Sequence, residues 1–260
     1  MGKIIAVANQ KGGVGKTTTS VNLSACLGAA GKKVLLVDFD PQGNASSGVG
    51  VESKRLKKTI YDVFIQGDSI DECLVQTKFK NLYLAPSNMN LSGAEIELVD
   101  MKEREFKLKA VLNACKERFD YIFIDCPPSL GLLTINAFAA SDTVLVPIQC
   151  EYYALEGLGQ LANTIQMIKK SIQPELEWEG ILLTMFNGRT NLCIQVVDEV
   201  KKHFRDKVYK TIIPRNVRLS EAPGYGEPIL YFDKSSKGSK AYIELSEEFL
   251  KKNKKKRMVK

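Results

Sequence analysis

The chain reads as a single α/β domain built on a mostly parallel sheet with helices on both faces. Three observations predict this. Short apolar, β-branched runs recur along the 260 residues and alternate with stretches of helical spacing. The runs are continuous rather than alternating, as expected for strands buried on both faces. The first run feeds through glycines straight into a helix, the arrangement of a phosphate-binding turn at a strand's C-terminal end.

In order, strands are expected at Ile4–Ala8, Lys33–Asp38, Asn81–Ala85, Tyr121–Asp125, Thr143–Ile148, Gly180–Met185 and Val208–Ile213. Helices are expected at Thr19–Ala30, Ala94–Phe119, Leu130–Ala140, Ala154–Ile172 and Asn191–Phe204. Gly31 suits a helix C-cap, and Pro174 follows another helix end. Residues 49–68 and the basic terminus read as loosely structured. The expected organisation is one doubly wound domain over residues 1–250 followed by a disordered basic tail, 251–260.

Composition limits the function. Hydrophobic residues make up 44% and charged residues 26%, the balance of an ordinary globular protein. No run of about 18 apolar residues is present, so no membrane span is expected. The chain starts at its first strand with no leader-like segment, so a cytoplasmic setting is expected and no N-terminal helix-turn-helix. Six cysteines are scattered without a C-x-x-C pair, which argues against a zinc site or a disulfide framework. The lone His203 offers no hydrolytic triad. The net charge of +7 arises in residues 251–260, which hold seven cations and no acid; without them, thirty basic residues balance thirty acidic. Polyanion binding by the body must therefore come from local patches.

The sharpest signal is Lys11-Gly12-Gly13-Val14-Gly15-Lys16-Thr17-Thr18. Glycines let backbone N–H groups turn inward, and a following helix N-terminus adds partial positive charge. Lys16 is placed to reach terminal phosphates and the Thr17 hydroxyl to ligate Mg2+. The strict P-loop has glycine where this chain has Gln10; in exchange there are Gly12-Gly13 and a second lysine, Lys11, which a phosphate cradle does not itself require. Two acids complete the set. Asp125 ends an apolar strand and can hold magnesium through its water shell, and Asp40 in a turn after Asp38 can orient an attacking water.

These stretches, together with Asp38–Asn44, Asp125–Gly131, Gln149–Gly157 and Pro214–Pro223, resemble the ParA/MinD class of deviant Walker ATPases over nearly the whole chain, and within it the short chromosomal ParA proteins of the Soj type. The resemblance implies that ATP and Mg2+ are the cofactors and that an ATP-sandwich homodimer forms. Lys11 reaches the partner's phosphates, Gly12 allows close approach of the protomers, and residues 11–18 (Lys11, Gly12, Gly13, Val14, Gly15, Lys16, Thr17 and Thr18) cradle the nucleotide. Pro214 and Asn216 lie beside the adenine, Asp40 supports hydrolysis, and Thr17 and Asp125 serve the metal. It also implies nonspecific binding of double-stranded DNA on the nucleoid, with Arg189 and Arg218 as contacts. Hydrolysis would be slow and stimulated by a ParB-type (Spo0J-type) centromere-binding protein, and a replication initiator is a further partner implied by Soj relatives. Residues 187–218 hold eight basic and three acidic side chains, a fit for sequence-independent phosphate contacts.

The alternative is a MinD-like membrane-surface ATPase, which needs a terminal helix with an apolar face and cations opposite. Tyr242, Leu245 and Phe249 form such a stripe, but Glu244, Glu247 and Glu248 flank it, which favours packing on the body. An iron–sulfur carrier would want closely paired cysteines. A non-hydrolysing regulator would lack Asp40.

Overall fold

The computed structural model describes residues 2–258, with side-chain surroundings described through Lys254. Seven strands form one sheet: β1 (Lys3–Val7), β2 (Val34–Asp38), β3 (Val75–Gln76), β4 (Leu82–Ala85), β5 (Tyr121–Asp125), β6 (Thr143–Gln149) and β7 (Glu177–Thr184). Their spatial order is β3-β4-β2-β5-β1-β6-β7, parallel except for β3, which pairs antiparallel with β4. The longer helices are α1 (Lys16–Ala29), α2 (Lys107–Asn113), α3 (Leu132–Ala140), α4 (Ala154–Ser171), α5 (Asn191–Phe204) and α6 (Lys237–Met258).

The strands divide their side chains between two cores. Ile4 and Ala6 of β1 join Leu35, Val37, Ile122 and Ile124 on one face, under α2 to α5. Ile5 and Val7 join Val34, Leu36, Phe123 and Leu145 on the other, under α1 and α6. This strict alternation with apolar residues on both sides is why the strand sequences read as unbroken apolar runs. Register then sets the site. Val7 lies opposite Asp125, and Asp125 lies opposite Asp38, so the glycine loop and both strand-end acids share one rim. The strand order reverses at β1, between β5 and β6, where this architecture opens its crevice.

Four expectations need correction. Residues 94–119 are not one helix but short helical pieces, with α2 the longest of them. Asn136 on α3 explains the break: its Nδ2 donates to the Arg104 carbonyl (2.8 Å) and its Oδ1 accepts from the Leu108 N–H (3.2 Å), which starts α2 afresh. Residues 208–213 form no strand. Tyr209 N–H and Ile213 N–H reach β7, but between them Lys210 and Thr211 N–H turn away to the Glu248 carboxylate at 2.8 and 2.9 Å. Residues 49–68 are better packed than expected, with Ile60, Val63 and Phe64 buried and Phe64 edge-on to Phe39 at 5.1 Å.

The tail is the fourth. Helix α6 runs on through 251–258, and Asn253 is buried on its inner face. Asn253 Nδ2 donates to Glu179 Oε1 (3.0 Å), and its Oδ1 accepts from Lys3 Nζ (2.6 Å). Glu179 is wholly buried on β7 and also takes the Lys3 ammonium and the Thr143 and Tyr209 hydroxyls. A buried carboxylate satisfied from four directions fixes the helix, so the lysine-rich composition was a poor guide. Tyr242, Leu245 and Phe249 face inward as expected, so α6 offers those side chains to the core rather than to a bilayer. Among the described residues no helix is long and apolar enough to cross a membrane.

Candidate functional site

The loop from Ala8 to Gly15 links β1 to α1. Gly15 stands immediately before the helix at φ 88°, a left-handed conformation that a side chain would resist. Gly12 is different. A Cβ there would meet only Pro128 Cβ, at 3.9 Å, so nothing within one chain demands glycine at that place. Asn9 braces the loop, donating from Nδ2 to the Pro147 carbonyl (2.8 Å) while its Oδ1 accepts from Lys11 N–H (3.0 Å). On the far side the Thr184 hydroxyl donates to the Val14 carbonyl at 2.8 Å.

The two lysines occupy different environments. Lys16 is buried and its Nζ donates to the Lys11 carbonyl at 3.0 Å, across the mouth of the loop. Burial lowers its pKa, opposed by the nearby Asp125, Cys126 and Asp40. A buried ammonium with a backbone carbonyl at hand is matched to an incoming anion. Lys11 instead points outward, its side chain 47% exposed and ion-paired with Glu151.

The acids lie where the register puts them. Asp125 is wholly buried and accepts from Thr17 Oγ1 and Ser20 Oγ, each at 2.8 Å. Burial, with Asp38 alongside, raises its pKa to about 7. Asp38 is raised to about 6 by burial, although Ser46 donates to Oδ2 from both its N–H and hydroxyl at 2.7 Å. Asp40 accepts from Gln42 N–H at 2.9 Å, which shapes the turn. Two strand-end carboxylates held in low dielectric favour a divalent cation between them and a phosphate chain. Among the described residues no three His, Cys, Asp or Glu side chains converge into a metal cage; the Thr17 hydroxyl and the Asp125 carboxylate, 2.8 Å apart, are oxygen donors of the kind Mg2+ takes.

A cavity of about 430 Å³ opens beside the loop, lined by Gly15, Thr18, Thr184, Pro214, Asn216 and Tyr242 among others. Asn216 Oδ1 is buried there with no hydrogen-bond partner. An orphaned acceptor in such a cavity suits a base bearing an exocyclic amine. Residues 11–18, Asp40, Asp125, Pro214 and Asn216 thus share one rim.

Arg189 and Arg218 sit elsewhere. Arg189 is exposed in the turn between β7 and α5, its N–H bonded to Asn187 Oδ1 at 3.2 Å. Arg218 is exposed but committed: its guanidinium donates to Asp233 (3.0 Å) and Glu221 (2.7 Å) and lies 4.5 Å from the Phe232 ring. Sequence reasoning assigns no role to Ser20, Ser46, Thr184 or Glu151. Ser20 could have been found from spacing, since it lies one helical turn after Lys16. The other three join the site through tertiary contacts alone.

Comparison with known proteins agrees with this geometry. Residues 2–178 match the family model described as AAA domain. The chain is 58% identical over 248 residues to the sporulation initiation inhibitor protein Soj of Bacillus subtilis, covering 95% of this chain and 98% of that protein. It is 51% identical to the chromosome partitioning protein ParA of Myxococcus xanthus, covering 97% and 89% of the two chains. Among solved structures, cobyrinic acid a,c-diamide synthase from Mycobacterium smegmatis, with bound ADP and magnesium, superposes with a TM-score of 0.86 at 36% identity, over 98% of this chain and 96% of that one. With its glycine loop, paired lysines and buried acids on one rim of a parallel sheet, the chain belongs to the ParA/Soj family of chromosome-partitioning ATPases.

Proposed function

We propose that the protein is an ATP-timed switch that segregates DNA, dimerising on ATP and then holding double-stranded DNA without sequence preference. One observation carries this reading. Lys16 fills the position that serves its own loop, while Lys11 faces solvent beside a Gly12 that no intrachain contact requires. A glycine that one chain does not require and a cation held there by a partly exposed ion pair to Glu151 fit a second chain brought face to face. Lys11 then meets the triphosphate bound by the partner protomer, so self-association depends on the charge that ATP supplies.

Within each protomer, backbone N–H groups of residues 13–18 and Lys16 hold the phosphates, and Pro214 and Asn216 flank the adenine. When bound, Mg2+ neutralises charge on the β- and γ-phosphate oxygens. Thr17 and Asp125 are the residues that would hold it, and Asp40 orients the attacking water. Turnover is slow until a ParB-type centromere-binding protein stimulates it. The ATP dimer sits on the nucleoid in the cytoplasm through Arg189, with Arg218 and the basic residues around it adding charge, and a replication initiator is a further partner. Residues 1–250 act as the ATPase domain, with the helical extension beyond them part of the same body.

Sizing the protein with ATP and Mg2+ or with ADP, with and without DNA, tests this. Dimers with ATP alone are expected, and Asp40→Ala should trap them on DNA. A chain that stays monomeric in saturating MgATP, even as Asp40→Ala, refutes the switch.

A further inference from the structure

In the lone chain Lys11 is held by an acid that the phosphate cradle does not use. Its ammonium pairs with Glu151, which lies in the turn between β6 and α4, 140 positions along the chain. Both side chains keep some contact with water, at 47% and 30% exposure. An ion pair this open holds its partners loosely enough for a stronger anion to take the lysine.

The backbone on each side of the pair is braced. Lys11 N–H donates to Asn9 Oδ1 (3.0 Å), and Asn9 Nδ2 donates to the Pro147 carbonyl on β6 (2.8 Å). Where that strand ends, Glu151 N–H donates to the Gln149 carbonyl (2.9 Å), and the Glu151 carbonyl accepts from Ala154 N–H (3.0 Å). Cys150 is tied on two sides: its N–H donates to the Thr184 carbonyl (3.3 Å), and its carbonyl accepts from Cys193 Sγ (3.1 Å). A braced turn therefore presents the carboxylate to Lys11, and less freedom is lost on pairing than with a free loop. Tyr152 and Tyr153 follow Glu151, 75% and 64% exposed and edge-on to each other at 5.2 Å. The pair thus lies on a face that still carries uncovered aromatic surface.

We infer that Glu151 is a latch: it parks Lys11 within its own chain and sets the threshold for self-association, yielding the lysine to a partner's bound triphosphate. The inference rests on the ATPase reading and deepens it by naming the group with which the nucleotide competes. A carboxylate offers one negative charge, whereas the terminal phosphates of ATP offer more; ADP, without the γ-phosphate, competes less well. Two latches open for each dimer formed. They suppress weak pairing of nucleotide-free or ADP-loaded chains and still let the ATP-loaded pair form. After hydrolysis the same carboxylate recaptures Lys11 and hinders re-pairing.

Sedimentation equilibrium of the full chain in saturating MgATP tests the latch, in an Asp40→Ala background that blocks turnover. Glu151→Gln should tighten the dimer about tenfold, roughly threefold for each latch removed. Glu156→Gln takes an exposed acid from the first turn of α4 and should shift the dimer by less than about twofold. Without nucleotide, labelling of Lys11 by a succinimidyl ester, read by peptide mass spectrometry, should rise severalfold in Glu151→Gln. Unchanged labelling overturns the inference. So does a dimer of unchanged strength, or a weaker one, which would make Glu151 a contact of the dimer itself. An equal gain from Glu156→Gln overturns it too, by showing that general charge is responsible. The two readings fail separately. A parent chain that stays monomeric in MgATP defeats the ATP switch and the latch with it; a parent that dimerises as tightly as Glu151→Gln defeats the latch alone.

Discussion

Lys11 and Lys16 are the same amino acid five positions apart, yet burial separates their chemistry. Lys16 has lost water and holds a carbonyl, so Lys16→Ala removes the charge for which the pocket is desolvated. Nucleotide binding should disappear, as read by displacement of a fluorescent ATP analogue, with the fold intact by circular dichroism. Asp40→Ala should leave that binding within about threefold and lower phosphate release by at least about 100-fold, within the range attributed to a positioned acid–base group. A variant with normal release would remove the role of that acid. Most of the residue-level site was legible, because strand-end acids and glycine turns are local patterns in the sequence. The clamps were not. Ser46 on Asp38 and Glu151 on Lys11 are brought in by a short loop and by a partner 140 residues away, where periodicity has nothing to say.

Among elements, α6 is held by its apolar stripe and tied at its C-terminal part to one buried carboxylate. Breaking the Lys3–Glu179–Asn253 group with Glu179→Ala removes the acid that Lys3 pairs with and should cost about 3–5 kcal/mol in urea melts. The same carboxylate sets a pH response. Burial tends to raise its pKa, but Lys3 and the donors from Thr143 and Asn253 outweigh it, and the net pKa is lowered. A carboxylate depressed in the folded state stabilises fully above its unfolded pKa of about 4.3 and gives up that contribution as pH falls through its folded value. Stability should therefore fall below about pH 4, and Glu179→Gln should flatten that acid limb while lowering stability at neutral pH. An acid limb as steep in the variant as in the parent would reject this assignment. The six parallel strands and α5 were legible because their patterns are decided locally, whereas the two-residue antiparallel β3 was not expected. The missing strand at 208–213 and the broken helix at 94–119 were not, because Glu248 and Asn136 decide them from distant elements.

At the scale of the whole molecule the nucleotide rim and the basic side face different tasks. The sequence treats Arg189 and Arg218 alike, but Arg218 already serves two carboxylates and a ring, while Arg189 stands in an open turn. In DNA titrations at several salt concentrations, Arg189→Glu should weaken MgATP-dependent binding severalfold and lower the salt slope by about 1 for each DNA phosphate that the variant protomer no longer neutralises. Arg218→Ala should change the slope less. A larger effect at Arg218 would relocate the DNA-binding surface. The fold class was legible at this scale because a parallel sheet needs strands buried on both faces with helical crossovers, and continuous apolar runs alternating with helical stretches match that need.

The central strand of this sheet is the first to be made, yet both its neighbours come much later. β1 finds no neighbour until β5 is synthesised more than a hundred residues later, and Lys3 waits 250 residues for Asn253. A nascent chain in this condition carries an unpaired strand until residues 121–125 of the 260 are made, a surface that invites chaperone capture.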